Sequence, residues 1–350
     1  MARLLNDRSA PELTRELGEL GLSPAESLRV FAHVHRRGAA ATLEAAELPG
    51  LRRGAARALA SPGLPVGRLE IVSRRTSAAD GFMKVLFRLP DGKPVEAVRI
   101  PLPAGPDRTP EKFIVCVSSQ TGCALGCAFC ATARIPAARN LAAWEMVEQV
   151  ARIRDEAPAP VRGVVFMGMG EPFLNYDAVL RAARIFSHPA GFAISQKAIT
   201  ISTAGIVPAI RRFTAERERY RLIISLTSAI EEKRRRLMPI ARRYPLAEVL
   251  EAARDHARAR RDRVTLAYVA ISGVNLGEED AQALVERLRG IPVRLNLIEV
   301  NETTGEFRAP TREDMGRFRA ALAALGAPIV RRYSGGKEIA AACGMLVAEP

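Results

Sequence analysis

The sequence predicts an α/β fold in which a parallel sheet with crossover helices follows a small helical domain. From residue 112 onward, short β-branched runs alternate with helical patterns, and strands separated by helices form parallel sheets. Before residue 66 the apolar residues recur at helical spacing, whereas between Leu69 and Ile100 they alternate as in β-strands. With 350 residues, 48% of them hydrophobic, the chain is long enough for one large domain and a smaller one.

Residues 1–66 are predicted to form the helical domain. Leucines recur at helical spacing between residues 13 and 20, and Ser23-Pro24-Ala25-Glu26 has the pattern of a capping box with proline at the first helical position. A second short helix is predicted from Leu51 to Leu59. His33 and His35 lie two residues apart on a helix and face different sides, which predicts surface histidines rather than two ligands of one metal.

Residues 67–108 are predicted to form a β-hairpin linker region. The strand-like runs Phe82–Leu89 and Val95–Ile100 flank a Pro-Asp-Gly-Lys turn. The stretch Pro101–Pro110, rich in proline and glycine, is a plausible boundary loop. Residues 109–350 would then form the core domain together with a C-terminal segment.

Six strands are predicted in the core, and several of them end next to cysteine or polar residues. The strands are Phe113–Val117, Gly163–Met167, Ala198–Ser202, Leu222–Leu226, Val264–Ala270 and Val293–Val300. In parallel β/α folds, ligands bind at the carboxyl ends of the strands. At these ends lie a cysteine-rich loop, a Gly-Met-Gly-Glu-Pro turn, two Ser/Thr pairs and an asparagine. The sequence therefore predicts a ligand site along one edge of the sheet.

The net charge of +14 suits a polyanionic partner such as RNA. Between Arg211 and Arg263 there are 16 Arg or Lys residues against 8 Asp or Glu residues. The groups Lys233–Arg236 and Arg258–Arg261 could neutralise phosphates. A solvated helix face is an equally good interpretation of either group.

A cytoplasmic location with no membrane partner is expected. No apolar run approaches the roughly 20 residues that a membrane span needs, and the N-terminus lacks a secretory signal pattern. Five cysteines, three of them in one loop, do not resemble a secreted disulfide framework. A reducing compartment that keeps the thiols available for iron fits them better.

Cys123, Cys127 and Cys130 have the spacing C-x3-C-x2-C. A structural zinc site usually takes four ligands in two separated pairs, and this trio has no fourth Cys or His beside it. Three thiolates on four irons would leave one iron open to a small molecule. The spacing resembles the signature of the radical S-adenosylmethionine (SAM) superfamily, whose clusters bind SAM and cleave it reductively.

The turn Gly168-Met-Gly170-Glu171 follows an apolar strand. It lacks the third glycine of a dinucleotide fingerprint and the Lys-Ser/Thr of a P-loop, so alone it indicates no more than a glycine-rich strand end. Beside an iron-sulfur trio it gains meaning, because glycines permit close backbone approach and a carboxylate suits the ammonium group of SAM.

The motifs taken together resemble the RlmN/Cfr family of radical-SAM RNA adenine methyltransferases. The resemblance runs from about residue 10 to residue 346 and includes Cys116, which precedes the trio, and Cys343 within Ala-Ala-Cys-Gly. Further matching motifs are Arg139-Asn-Leu and Phe166-Met-Gly-Met-Gly-Glu-Pro-Phe-Leu-Asn. The family implies a partial (β/α)6 barrel preceded by a small helical domain.

The resemblance also implies cofactors and residue roles. Cys123, Cys127 and Cys130 would bind a 4Fe-4S cluster, and two SAM molecules would be used per turnover. One SAM would methylate Cys343, and the other would give a 5′-deoxyadenosyl radical that takes hydrogen from the S-methyl group. Cys116 would resolve the resulting protein–RNA crosslink by forming a disulfide with Cys343, and Glu96 would accept the proton of the substrate carbon. The implied SAM-binding residues are Gly170, Glu171, Ser202, Ser225, Leu226, Thr227 and Asn301.

Taken one at a time, these residues have other interpretations. Cys116 and Cys343 could be buried small hydrophobes, and Glu96 could be an exposed strand residue. The chain also departs from the family pattern: Thr227 stands where many members carry His, and Ser334-Gly-Gly-Lys-Glu-Ile stands where Arg-Gly-Asp-Asp/Ser-Ile is usual. These departures lie in loops that would meet SAM or RNA, so they bear on the target more than on the reaction.

The sequence thus predicts a radical-SAM methyltransferase that acts on an adenosine ring carbon in RNA, with carbon 2 preferred over carbon 8. The family's substrate class is 23S ribosomal RNA, with transfer RNA as a second substrate, and the enzyme would need an electron-donor protein. Two alternatives stay open: a radical-SAM enzyme acting on another substrate, and a non-catalytic, metal-containing RNA-binding protein.

Overall fold

The computed structural model describes residues 4–36, 48, 50–60, 65–103, 110–135, 139–303 and 305–348. Its helices are α1 Ala10–Glu19, α2 Pro24–Arg36, α3 Arg53–Ala60, α4 Ala143–Asp155, α5 Tyr176–Ser187, α6 Val207–Ala215, α7 Glu231–Leu237, α8 Leu246–Arg260, α9 Glu278–Leu288 and α10 Arg312–Ala321. Its strands are β1 Glu70–Thr76, β2 Met83–Arg88, β3 Pro94–Pro103, β4 Pro110–Val117, β5 Val161–Phe166, β6 Ile199–Thr203, β7 Arg221–Ser225, β8 Val264–Ala270, β9 Val293–Glu299 and β10 Ile329–Arg332.

All ten strands form one sheet in sequence order. β1 to β4 pair antiparallel, and β4 to β10 pair parallel, each with its neighbour in the chain. A helix lies between each successive pair of parallel strands, as parallel pairing requires. The predicted α/β fold with a parallel sheet is confirmed, and every carboxyl end from β4 onward lies along the same edge.

The six predicted core strands are all present, and the structure adds a seventh parallel strand, β10. This strand has only four residues and is partly exposed along its whole length, with two arginines among them. It therefore shows neither the buried apolar run nor the alternation by which a strand is usually found in a sequence. The predicted hairpin, β2 and β3, belongs to the main sheet because β3 pairs with β4, and Val98 lies opposite Cys116.

The N-terminal helices pack on the core through α4. The Asn6 side chain exchanges two hydrogen bonds with the backbone of Gly67, and Asp7 accepts one from the Trp144 amide at 2.9 Å. The predicted capping box is confirmed, since Glu26 accepts bonds from the amide and the hydroxyl of Ser23. The division of the chain at residues 66 and 108 stays a prediction, and residues 104–109 of the proposed boundary loop lie outside the described residues.

The prediction of surface histidines at positions 33 and 35 is wrong. Both side chains are buried, and the His35 ring lies 4.4 Å from the Phe31 ring and 6.1 Å from the Phe192 ring. Neither ring nitrogen of His35 has a hydrogen-bond partner. Burial, with the nearby charge of Arg154, lowers the pKa of His35 to about 3. The core of the small domain thus holds a neutral imidazole.

Acid is therefore expected to destabilise the protein through His35. In the unfolded chain His35 takes up a proton below about pH 6.5, whereas the folded chain resists protonation down to about pH 3. Stability from this group is complete above pH 6.5 and falls as the pH drops, by about 2–3 kcal/mol at pH 4.5. We expect His35→Phe to flatten the loss of unfolding free energy between pH 7 and pH 4.5. Urea titrations at several pH values measure the unfolding free energy of both proteins. An equal change of this free energy with pH in the two proteins would contradict the prediction.

Among the described residues, no helix has both the length and the apolar character that crossing a bilayer requires.

Candidate active site

The cysteine loop follows β4 directly and is fixed to two distant parts of the chain. The Ala128 amide donates to the carbonyl of Leu237 at the end of α7, and the Ala131 amide donates to the carbonyl of Gly344 at 2.7 Å. Cys127 and its neighbours pack on a small apolar cluster that is separate from the main core and includes Leu237. The loop is therefore held between α7 and the C-terminal segment.

The three thiols of this loop are free and close enough to influence one another. Burial raises the pKa of Cys123 to about 11, and it also raises the pKa values of Cys127 and Cys130. Cys127 is raised further by both of the other thiols. In the described part of the chain, no three His, Cys, Asp or Glu side chains are placed to hold a single metal ion. A 4Fe-4S cluster takes one thiolate per iron, so the three free thiols of this loop are ligands of the kind that it would need.

The glycine turn after β5 lies directly against the strand end of β4. Gly170 has φ +101°, and a Cβ there would lie 2.6 Å from the Cβ of Gln120. A Cβ on Gly168 would lie 2.6 Å from the hydroxyl oxygen of Ser118. Both positions therefore require glycine, because the backbones approach too closely for a side chain.

Glu171 is buried and joins the ends of β5 and β6. Its carboxylate accepts hydrogen bonds from the Ala204 amide at 2.7 Å and from the Phe173 amide at 3.0 Å. Burial raises the pKa of Glu171 to about 7, and these two amides oppose the rise. The Thr203 side chain also hydrogen-bonds to this carboxylate and opposes the rise. The predicted contact with an ammonium group stays a prediction.

Two other predicted SAM-binding residues hold buried oxygen atoms without partners. Thr227, in the left-handed region with φ +60°, has an unpartnered hydroxyl. The side-chain amide nitrogen of Asn301 donates to Ser334 and to the carbonyl of Cys343, while its Oδ1 has no partner. Unpaired buried polar atoms are costly and point to a polar ligand. The strand-end rim therefore fits a molecule such as SAM.

The remaining predicted SAM-binding residues lie along the same rim. Ser202 and Ser225 are partly exposed at the ends of β6 and β7. Leu226 differs, because its side chain belongs to the main core and only its backbone faces the rim. Its amide already donates to the Ala267 carbonyl at 2.8 Å. Its carbonyl accepts from the Ser228 amide and from Arg234, so both backbone polar groups of Leu226 already have partners.

Cys116 and Cys343 line one cavity of about 880 Å³, and Cys130 of the cysteine loop lines it as well. Cys116 comes from β4, whereas Cys343 is exposed on the C-terminal segment. Both are free thiols. Burial raises the pKa of Cys116 to about 12, the Cys343 thiol adds to the rise, and the Arg332 guanidinium opposes it. The fold thus brings together cysteines from three segments: β4, the cysteine loop and the C-terminal segment.

Glu96 lies outside this cavity. It is fully buried on β3, in an ion pair with Lys84 at 2.8 Å. Its other carboxylate oxygen accepts bonds from the amides of Val347 and Ala348, each at 3.0 Å. Leu346, the residue before this pair, lines the cavity. The C-terminal segment therefore separates the Glu96 carboxylate from the cavity.

In the arginine group on α7, Arg235 and Arg236 are exposed, whereas Lys233 and Arg234 are engaged within the protein, so only part of the group is available to phosphates. Arg234 is fully buried and donates to the carbonyls of Ala204 and Leu226. Lys233 pairs with Glu279 and Asp280, and Arg235 pairs with Glu231. Arg234 instead joins the ends of β6 and β7 beneath the rim.

The second arginine group, Arg258–Arg261, precedes β8 and lies at the amino edge of the sheet, opposite the site.

The cavity is also lined by residues that were not predicted from the sequence, namely Phe82, Met167, Arg332 and Tyr333. Arg332 donates to the Met167 sulfur at 2.9 Å. The signal available in the sequence was the Arg-Arg-Tyr-Ser run shortly before Cys343.

The chain is similar to known proteins in both sequence and structure. The model of the radical SAM superfamily matches residues 117–287. A probable RNA methyltransferase from Myxococcus xanthus is 50% identical over 345 residues, which cover 98% of this chain and 94% of that protein. A dual-specificity RNA methyltransferase RlmN from Syntrophobacter fumaroxidans is 38% identical and covers 99% of this chain and 98% of its own length. The crystal structure of a radical SAM methyltransferase from Sphaerobacter thermophilus superposes with a TM-score of 0.87 at 36% identity, over 99% of this chain and 100% of that one.

Proposed function

The chain belongs to the RlmN/Cfr family of radical SAM RNA methyltransferases, and from this premise we propose that it methylates carbon 2 of an adenosine in RNA. The proposed substrates are 23S ribosomal RNA and transfer RNA, and the proposed methyl carrier is Cys343. A non-catalytic RNA-binding role, which the sequence left open, does not agree with this membership. Carbon 8 of adenosine is the alternative product.

One observation carries the proposal: Cys116, Cys130 and Cys343 line the same cavity. Cys130 belongs to the trio that would hold a 4Fe-4S cluster, whereas the other two thiols have no place in that cluster. Three thiols that share a cavity match a reaction in which radical generation, methyl transfer and release occur side by side. A radical SAM enzyme without a methyl-carrying cysteine would not need Cys116 and Cys343 in addition to the cluster ligands.

The residues around the cavity would have separate roles in binding the cofactors and carrying the methyl group. The cysteine trio would hold the cluster, and the rim from Gly170 to Asn301 would hold SAM. When bound, the two supply the radical chemistry that a poorly nucleophilic ring carbon requires. Cys343 would receive the methyl group from one SAM and present it to the base, so that two SAM molecules are used per turnover. The bonds from Asn301 and Ser334 to the Cys343 backbone hold this thiol at the cavity.

Cys116 would release the product. Its thiolate would attack the Cys343 sulfur and form a disulfide. The electron pair of the bond between that sulfur and the transferred carbon would pass to the carbon, which would take up a proton to become the methyl group. Glu96 would accept the proton lost by the ring carbon. Because Val347 and Ala348 now occupy the Glu96 carboxylate, the C-terminal segment would have to withdraw before Glu96 reached the base. A cytoplasmic dithiol would then reduce the disulfide, and an electron-donor protein would supply the cluster.

Mass spectrometry of nucleosides tests the substrate and the ring position. We expect RNA from cells that lack this gene to lose 2-methyladenosine, with no change in 8-methyladenosine. Separate digestion of 23S ribosomal RNA and transfer RNA would show which of them carries the modification. The gene restored in its wild-type form should restore the nucleoside.

Restoration with the Cys343→Ala gene is the matched control, because it supplies the same fold without the proposed methyl carrier. Unchanged 2-methyladenosine in the deletion strain would contradict the proposed function. Loss of 8-methyladenosine alone would preserve the reaction and overturn the choice of carbon 2.

A further inference from the structure

Tyr333 presents an exposed aromatic ring at the rim of the cavity. It follows β10, lines the cavity and is 71% exposed, the largest value among the exposed large hydrophobic side chains of the described residues. An exposed aromatic side chain beside a substrate cavity can contact that substrate through its ring, because tyrosine combines a large apolar surface with a polar end.

The ring is held in place rather than mobile on its surface. Its hydroxyl donates to Asp80 at 2.9 Å, and its ring packs against the Phe82 ring in a T-shaped arrangement, with the centroids 6.2 Å apart and the planes at 69°. Asp80 also accepts from the Gly336 amide at 2.9 Å. The phenol end is therefore anchored, while most of the side chain stays exposed to solvent.

The surrounding backbone is built closely around this anchor. A Cβ on Gly335 would lie 2.4 Å from the Phe82 ring and 2.6 Å from the Asp80 carboxylate. On the other side, Glu338 accepts a hydrogen bond from the Ala78 amide at 2.7 Å. The turn between β1 and β2 and the segment after β10 are thus clamped together, and the orientation of the ring follows from that clamp.

We propose that Tyr333 is a stacking platform for an unpaired nucleobase of the RNA, next to the adenosine being methylated. This inference rests on the proposed function. Methylation needs the target base to leave its stack and enter the cavity, which leaves a neighbouring base with an uncovered face. Tyr333 lies at the rim of the cavity, where such a neighbour would be, and aromatic rings bind unstacked bases of any sequence. Because the ring is already fixed, little conformational entropy is lost on binding.

Substitutions at Tyr333 separate stacking from other roles. We expect Tyr333→Ala to raise KM for RNA about tenfold, which corresponds to ~1.4 kcal/mol. Tyr333→Phe keeps the ring and should retain most of the affinity, whereas Tyr333→Leu keeps apolar bulk without a flat face and should behave like Ala. Val330→Ala on β10, 46% exposed, is the matched control and should leave KM unchanged.

A direct binding measurement uses Tyr333→Trp. The chain has one tryptophan, Trp144, which is buried, so a new exposed indole gives a distinct signal. We expect single-stranded oligoadenylate to quench this signal and duplex RNA of equal length not to do so. Equal quenching by both would overturn the stacking proposal, as would a KM for Tyr333→Leu equal to that of the wild type.

The wild-type reaction keeps this inference distinct from the proposed function. Methylation of the Cys343 sulfur, measured by peptide mass with SAM alone, needs no RNA and should be the same in Tyr333→Ala and the wild type. A wild-type enzyme that methylates no RNA would refute the proposed function itself. A wild type that methylates RNA, together with an unchanged KM in Tyr333→Ala, would refute the platform alone.

Discussion

Cys343→Ala is expected to abolish methylation of RNA while leaving the fold and the iron content intact. The structure gives the reason, because the interactions at this position use the backbone. The Cys343 carbonyl accepts from Asn301 and its amide donates to Ser334, and both bonds survive loss of the sulfur. The side chain is exposed, so its truncation should change the unfolding free energy by no more than about 0.5 kcal/mol. Transfer of a labelled methyl group to RNA, with iron assay and urea titration, measures all three properties.

Cys116→Ala is the companion variant because it should fail at a later step. The methyl group should still reach Cys343 and the RNA, but without a resolving thiol the protein should stay bonded to its substrate. A band that survives denaturing electrophoresis and disappears with ribonuclease would report this crosslink. Normal turnover by Cys116→Ala would remove its resolving role, and methylated RNA from Cys343→Ala would remove the carrier role of Cys343.

The pKa of Cys116 adds a pH dependence to the release step. Burial places this pKa near 12, so at neutral pH the attacking thiolate is a small fraction of the thiol. At pH values below the pKa, the thiolate fraction rises about tenfold for each unit by which the pH increases. Arg332, which opposes the rise, is the charged group of the cavity that favours the thiolate. The lifetime of the crosslink should therefore shorten as the pH rises.

The sequence located the chemistry of this protein better than its surface. Strands were predictable because β-branched runs alternate with helical patterns, and the cysteine loop because its spacing is rare. The convergence of Cys116, Cys130 and Cys343 on one cavity was not predictable from spacing, since it depends on how β4, the loop and the C-terminal segment pack. Resemblance to a family supplied it at the sequence level.

The charge run on α7 shows why the surface was harder to predict. Four consecutive cations look like a basic patch, but on a helix of 3.6 residues per turn they point in four directions. Arg234 shares its face with Leu237 and Met238, three and four residues later, and all three are buried. That apolar spacing was present in the sequence, yet a charged residue is seldom expected inside. The carbonyls of Ala204 and Leu226, which accept hydrogen bonds from the buried Arg234 guanidinium, follow β6 and β7 and lie outside the helix itself.

His35 was misplaced for a related reason. The spacing of the two histidines argued against a shared metal, and a surface position was then the expectation for both. The sequence around His35 gave no sign of Phe192, whose ring lies near it and comes from a loop more than 150 residues away. Long-range packing decided both errors, whereas the successful predictions rested on local patterns.

Gly170→Ala is expected to lower the unfolding free energy by about 2–5 kcal/mol and to abolish SAM binding. A side chain at φ +101° costs about 1–2 kcal/mol, and overpacking adds about 1–3 kcal/mol. The added Cβ would lie 2.6 Å from the Gln120 Cβ and 2.9 Å from the backbone nitrogen of Gln120. Gln120 cannot easily give way, because its side chain accepts from the Glu171 amide and donates to Asn140, both at 2.8 Å.

Gly273→Ala is the matched control for this prediction. Gly273 also has a positive φ, +70°, but an added Cβ there would meet nothing within 4 Å. It should therefore cost only the backbone term of about 1–2 kcal/mol and leave SAM binding intact. Urea titrations give the two free energies, and calorimetry with SAM gives the affinities. The extra loss of unfolding free energy in Gly170→Ala is expected to come only from the close contact between the ends of β4 and β5. If both variants lost equal stability and both still bound SAM, that contact would not shape the ligand site.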